Sequence, residues 1–126
     1  MKITVKNLLA QKEQLKNKKE VKEDLYIDSL GGDITVKEPS SELCVESFEM
    51  AQTGDSSRAD AHIVYNCVIE PTLKDEELQK EYACVEPSDI VKMIFKPGEI
   101  AAISGHCMTM AGYGTGLKKV DKQIKN

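Results

Sequence analysis

The segment LYIDSLGGDITV at residues 25–36 decides the fold class of this chain. Leu25 and Ile27 alternate with polar or amphipathic neighbours before the paired glycines, and Ile34 and Val36 do the same after them. This alternation is typical of half-buried strands, and glycine supplies the positive φ angles of a tight turn. The segment predicts a β-hairpin over about residues 23–37. An isolated hairpin is only marginally stable, so its apolar face must pack on helices or on a partner's sheet.

Prolines divide the rest of the chain into helical segments. Pro39, Pro71 and Pro87 each follow a glutamate and precede a serine or a threonine. Proline ends the preceding element, and the hydroxyl residue after it can cap a new helix. Pro97 marks a fourth break. The predicted helices span about residues 41–52, 59–69, 73–83, 88–95 and 98–112.

An amphipathic helix is predicted before the hairpin. Thr4 can cap this helix, which then runs to about Lys19. Its apolar residues fall on one side, and lysines and glutamines occupy the other. The apolar side consists of Val5, Leu8, Leu9 and Leu15.

The predicted helices after the hairpin differ in their apolar surface. The 59–69 helix is apolar around most of its circumference, which predicts a central, buried position. The last helix carries no charged residue from Ile100 to Tyr113, so either the fold or a partner must cover it. The 41–52 helix is expected to bury Leu43, Cys44, Phe48 and Ala51.

These elements predict an α+β fold, a mainly α-helical single domain with one β-hairpin near the N-terminus. We expect the domain to span residues 1–113, with a helical body at about 41–112, followed by a flexible lysine-rich tail at 114–126. A length of 126 residues, with 40% hydrophobic and 30% charged residues, agrees with one compact domain.

The sequence also indicates a compartment. No apolar run approaches the roughly 20 residues needed to cross a bilayer. The N-terminal residues lack the continuous hydrophobic region of a signal peptide, because a lysine interrupts their only apolar patch. We therefore expect a cytoplasmic protein with no membrane partner.

Charge is unevenly distributed along the chain. Residues 1–23 hold seven lysines and three glutamates, a net charge of +4, whereas residues 24–116 hold six basic and seventeen acidic residues, a net charge of −11. Arg58 is the single arginine. Nucleic-acid binding needs clustered lysine and arginine, so an acidic body of this kind argues against a nucleic-acid partner.

Catalytic and metal sites are disfavoured by spacing. No two cysteines have the Cys-x-x-Cys spacing of zinc or redox motifs. His106 and Cys107 are adjacent, and adjacent helical residues point about 100° apart, which disfavours a catalytic dyad. A zinc site built from Cys44, Cys67, Cys84, Cys107, His62 and His106 is the remaining metal alternative. We expect no enzyme activity, metal or cofactor, and a small metal or thiol enzyme is kept as a rival reading.

Several ordered segments resemble one protein family. They are residues 25–36 quoted above, VYNCVIEP at 64–71, CVEPSDIV at 84–91 and FKPGEI at 95–100. Together with the amphipathic start at residues 4–9, they are similar to the XkdN-like tail assembly chaperones of contractile-tailed bacteriophages and defective prophages. The number and order of the segments carry the resemblance, which contains no catalytic signature.

The resemblance implies a non-enzymatic assembly factor that is made in the bacterial host cell and is absent from the mature virion. Such a chaperone binds the tape measure protein, keeps it soluble and promotes tail-tube polymerisation around it. The implied partners are the tape measure protein and tail-tube subunits, and self-association stays open. Residue patterning, not the family, suggests Leu8, Leu9, Met108 and Met110 as partner-binding residues. The alternative function is a structural tail or neck component of the virion.

Overall fold

The computed structural model describes residues 1–18, 20–114 and 116–120. Within these residues it contains seven helices and three strands, and the predicted α+β class is confirmed. The end of the first predicted helix at Lys19 and part of the predicted tail lie outside the described residues. The elements in chain order are α1 (Val5–Ala10), α2 (Lys12–Lys16), β1 (Lys22–Ile27), β2 (Gly32–Lys37), α3 (Ser41–Gln52), α4 (Ser56–Cys67), β3 (Val68–Glu70), α5 (Glu76–Glu81), α6 (Asp89–Ile94) and α7 (Pro97–Met110).

The predicted hairpin is formed by β1 and β2. The two strands pair antiparallel, with Leu25 opposite Ile34. Gly31 has a φ of 65° and its backbone N–H donates to the Ile27 carbonyl at 2.9 Å, so this glycine closes the turn. Gly32 is already the first residue of β2. A single left-handed glycine is therefore sufficient for this turn.

A third strand corrects the prediction that the central helix continues to residue 69. α4 ends at Cys67, and β3 pairs antiparallel with β2, with Val68 opposite Val36. Two causes favour this change: Val68 and Ile69 are β-branched, and Pro71 disfavours a helical conformation in the residue before it. The sheet order is β1-β2-β3, so β2 is the central strand.

The N-terminal region forms two short helices, and the prediction of one continuous helix is wrong. Thr4 caps α1 as expected, but Gln11 leaves helical geometry with φ −100° and ψ 12°. Neither short helix has a buried residue. Helices of this length are marginal in water without tertiary packing, which accounts for the interruption.

α5 begins later than predicted, because the residues before it serve a different purpose. Leu73 lies in the loop after β3 and is 1% exposed, which anchors the loop in the core. Asp75 then caps the helix, accepting a hydrogen bond from the Leu78 backbone N–H at 2.8 Å. Residues 73–75, which were predicted as the first helical turn, instead form a loop that packs on the core through Leu73.

The core is organised around α4, as the sequence predicted. Ile63, Val64 and Cys67 are completely buried. The helix packs against α3, α6, α7 and β3. The other large side chains buried below 2% exposure are Leu73, Ile90, Val36, Val91, Cys44 and Cys107.

The face of α3 that enters the core differs from the predicted one. The helix buries Leu43, Cys44 and Ser47, whereas Phe48 is 43% exposed and Ala51 is exposed. The Ser47 hydroxyl donates to the Ala59 carbonyl of α4 at 3.4 Å. Small side chains let the two helices approach, and this contact rotates Phe48 out of the core.

α7 is covered by the fold along one face only. Ile100, Ile103, Ser104 and Cys107 are its buried residues. The Ser104 hydroxyl donates to the Asp60 carboxylate of α4 at 2.8 Å, which satisfies its polar group. The sequence predicted that either the fold or a partner covers this helix. The fold covers most of its large apolar residues, mainly through α4.

Candidate functional site

The apolar side of α1 and α2 is the first candidate partner-binding surface. Leu8 is 49% exposed and Leu9 is 66% exposed. Val5 and Leu15 on the same two helices are also exposed. We call these four residues the N-terminal stripe. Exposed leucines at adjacent helical positions leave apolar surface in water, which is typical of a protein interaction site when the residues are contiguous.

A capping box holds the start of this surface in helical form. The Thr4 hydroxyl accepts a hydrogen bond from the Asn7 backbone N–H at 3.1 Å. The Asn7 side-chain oxygen accepts one from the Thr4 backbone N–H at 2.9 Å. The two bonds satisfy donors that are otherwise unpaired at a helix start. The orientation of Leu8 and Leu9 on α1 therefore depends on local hydrogen bonds and not on core packing.

The two predicted methionines occupy a different part of the molecule. Met108 and Met110 lie on α7, are half-buried and pack against the core. The Cys44 thiol donates to the Met108 sulfur at 3.9 Å, which ties Met108 to α3. α1 and α7 are not a packed pair of helices. The structure thus separates the predicted residues into an exposed leucine pair and a half-buried methionine pair.

A second exposed surface, which the sequence reasoning missed, lies on α3. Val45 is 51% exposed, and Phe48 packs edge-on against Tyr113 with 5.1 Å between the ring centroids. Glu42, Glu46 and Glu49 recur at steps of four and three residues, so they line one edge of the same helix. We call these six residues the α3 face. The sequence signal that could have identified this surface is the position of Val45 and Phe48 on the side of α3 away from Leu43.

The cysteines behave as core residues. Cys44, Cys67 and Cys107 are buried, and all four cysteines are free. A hydrogen bond between Cys107 and Cys67 raises the pKa of the Cys107 thiol and lowers the pKa of the Cys67 thiol, and burial raises the pKa of the Cys44 thiol. A thiol held in its neutral form is a weak nucleophile and a weak metal ligand. Buried free cysteine commonly serves as a small apolar side chain.

His106 is engaged away from Cys107. Its Nε2 atom lies 2.6 Å from the Glu23 carboxylate of β1. This contact directs Nε2 of His106 to β1, so it gives no support to the His106–Cys107 dyad that the sequence disfavours. Within residues 1–18, 20–114 and 116–120, no group of three or more histidine, cysteine, aspartate or glutamate side chains is arranged to hold a metal ion.

A groove of about 290 Å³ lies between β1 and α7. Leu25, Ile27 and Ile103 form part of its floor. The Glu99 carboxylate at its edge accepts hydrogen bonds from the Ser29 hydroxyl at 2.8 Å and the Lys96 backbone N–H at 2.9 Å. These bonds lower the pKa of Glu99. The Glu99 carboxylate is thus satisfied within the chain.

The described helices are all too short or too polar to span a bilayer.

Comparison with known proteins gives one family. Residues 37–125, more than half of the chain, match the Phage XkdN-like tail assembly chaperone protein family. The chain belongs to this family of tail assembly chaperones. The resemblance that the sequence segments carry is thereby confirmed. The matched region begins in β2, so it contains the α3 face and lies downstream of the N-terminal stripe.

The fold of this tail assembly chaperone is also found in a solved structure. The crystal structure of the protein YqbN, a structural genomics target, superposes with a TM-score of 0.58 at 21% sequence identity. The match covers 75% of this chain and 87% of YqbN. At this identity the likeness shows a shared fold. No curated protein sequence matches the chain.

Proposed function

We propose that this tail assembly chaperone binds the tape measure protein, keeps it soluble and promotes polymerisation of tail-tube subunits around it. Membership of the family supplies the role in tail assembly. The observation that supports the specific partner is the N-terminal stripe, because two helices with exposed leucines and no buried residue precede a body with a complete core. Such a surface suits a client with repeated apolar helical segments.

The proposed binding mode is packing between amphipathic helices. Leu8 and Leu9 make the main contacts, and they enter the apolar face of a client helix. Met108 and Met110 are proposed as secondary contacts through their exposed atoms, because flexible methionine adapts to varied apolar surfaces. Many copies that each bind modestly along one long client can cover it and still be displaced by tube subunits.

Co-expression with the tape measure protein encoded by the same phage or prophage tests this proposal. The wild-type chaperone is expected to keep the tape measure protein soluble and to co-purify with it. Burial of a leucine side chain contributes about 1.5–3 kcal/mol. Replacement of both leucines, Leu8→Asp with Leu9→Asp, is therefore expected to weaken binding by a factor on the order of 100 or more.

The matched control places the same two aspartates on α1 and α2 but away from Leu8. Ala10→Asp with Gln14→Asp adds the same charge at exposed positions and is expected to leave client solubility unchanged. A soluble tape measure protein with the leucine variant would contradict the role of Leu8 and Leu9. An aggregated tape measure protein with the wild-type chaperone would contradict the proposed function.

The chaperone role and the structural-component role also predict different final locations for the protein. As an assembly factor, the protein acts in the cytoplasm of the bacterial host and leaves as the tube forms, and we propose that it has no catalytic step. Mass spectrometry of purified particles is expected to detect tube and tape measure peptides without peptides of this chain. Detection at a stoichiometry comparable to that of a tail or neck protein would favour the structural role.

A further inference from the structure

Basic and acidic residues are unevenly distributed along this chain. Residues 1–23 carry a net charge of +4, and residues 24–116 carry −11. Among the described residues, the ion pairs both involve histidine, and no lysine or arginine lies within 4.0 Å of a carboxylate oxygen. Lys18, Lys37 and Lys74 line a groove together with Glu42 and Glu46, but none of the three lysines forms an ion pair there, so these groups stay available for contacts outside the chain.

The basic surface is a helical one with an apolar side. Lys6, Lys12 and Lys16 are exposed on α1 and α2. The N-terminal stripe lies on the same two helices. Ammonium groups next to exposed leucines are the chemistry that recognises an apolar surface bordered by carboxylates.

The α3 face has the complementary composition. Its apolar part consists of Val45, Phe48 and Tyr113, and three glutamates border it along one edge. None of these glutamates accepts a side-chain hydrogen bond from a lysine among the described residues. The Glu46 carboxylate lies 3.7 Å from Nε2 of His62.

We propose that the N-terminal stripe of one copy docks on the α3 face of a second copy. The same chain supplies both surfaces, and within one copy α1 and α2 bury no residue. A second copy is therefore the partner that covers both surfaces. The two surfaces differ, so the contact is heterologous and each copy can engage two neighbours. Free protein therefore forms open, head-to-tail oligomers that grow with concentration.

The proposed contact also conceals Leu8 and Leu9 until a client is present. A client helix that is apolar and basic, like the N-terminal stripe with its lysines, competes with the second copy for the α3 face. A client helix with an apolar face competes with the second copy for the N-terminal stripe. Only this displacement depends on the proposed function. The self-association itself is measured with the chaperone alone.

Sedimentation velocity over a series of protein concentrations tests the association. The weight-average mass is expected to rise with concentration at about 0.05 M salt and to fall towards the monomer at about 0.5 M, because ionic strength screens exposed charges beyond roughly a Debye length. A monomer at every concentration and salt would overturn the proposal, including the case in which the stripe folds back on its own body.

Charge reversal identifies the two surfaces. The acceptor variant carries Glu42→Lys, Glu46→Lys and Glu49→Lys. The donor variant carries Lys6→Glu, Lys12→Glu and Lys16→Glu. Each variant alone is expected to associate at least about tenfold more weakly, since like charges then face each other. A mixture of the two variants restores opposite charges at every junction and is expected to recover wild-type association.

Reversal of glutamates on another helix provides the matched control. Glu76→Lys, Glu77→Lys and Glu81→Lys change the net charge by the same amount on exposed positions of α5. This variant is expected to associate more than the acceptor variant does. Wild-type association by the acceptor variant, or a mixture that stays monomeric while both variants melt as the wild type does, would overturn the proposal. A wild-type chaperone that self-associates but fails to keep the tape measure protein soluble would instead count against the proposed function.

Discussion

The central helix α4 and the two N-terminal helices α1 and α2 taken together cover similar lengths of chain, residues 56–67 and 5–16, but have opposite environments. α4 buries five residues, Ala59, Ala61, Ile63, Val64 and Cys67, whereas α1 and α2 bury none. Both regions have apolar residues at helical spacing. The difference teaches that an apolar stripe becomes core only where other elements close around it, and a stripe left open becomes a surface for another molecule.

The strongest test of this comparison places a charge in each region. Ile63→Asp and Val68→Asp each bury an unpaired carboxylate, and each is expected to unfold the protein or to reduce its free energy of unfolding by about 4–5 kcal/mol or more. Leu8→Asp, at an exposed position, is expected to change it by about 0.5 kcal/mol or less. Urea unfolding followed by circular dichroism measures all three. An unchanged midpoint for Ile63→Asp would contradict the central position of α4.

A smaller effect tests whether the core includes a loop. Leu73 is 1% exposed although it lies outside any helix or strand. Leu73→Ala is expected to reduce the free energy of unfolding by about 2–5 kcal/mol, the range for leucine deletion in a core. Leu30→Ala is the control, because Leu30 lies in the hairpin turn and is 51% exposed. Equal midpoints for the two variants would show that the loop does not belong to the core.

The smallest effect compares two helix caps. The Ser40 hydroxyl accepts from the Leu43 backbone N–H at 3.2 Å and caps α3 within the body. Ser40→Ala is expected to reduce the free energy of unfolding by about 1 kcal/mol. Thr4→Ala removes the cap of α1 and is expected to leave the unfolding midpoint unchanged while faster hydrogen exchange appears at residues 5–10. A lower midpoint for Thr4→Ala would mean that α1 is coupled to the core.

Most of the fold is predictable from local signals in the sequence. Alternation around Gly31 predicts the hairpin, and Pro39 with Ser40 predicts the start of α3. The third strand is not predictable in this way, because the apolar run at Val68 and Ile69 fits a buried helix end as well as a short strand. Its pairing with Val36 is a long-range contact that no local pattern contains.

The candidate surfaces were predictable in part. Leu8 and Leu9 are exposed where the sequence placed a partner site, although no measurement yet tests their role. Met108 is half-buried because Cys44 of α3 packs on it, a contact between distant parts of the chain. Phe48 was predicted to share the core-facing side of α3 with Leu43 and Cys44, but Ser47 is the third residue that this helix buries.

The contact between Ser47 and Ala59 has a consequence for how this surface can change. Adjacent positions on a helix differ by about 100° in direction, so the side chain that enters the core decides which residues face outward. A bulky residue at position 47 would force α3 to shift or to rotate, since a packed interior accepts added volume poorly. Binding specificity on α3 can therefore be altered from the inside of the protein, by a substitution that no partner ever touches.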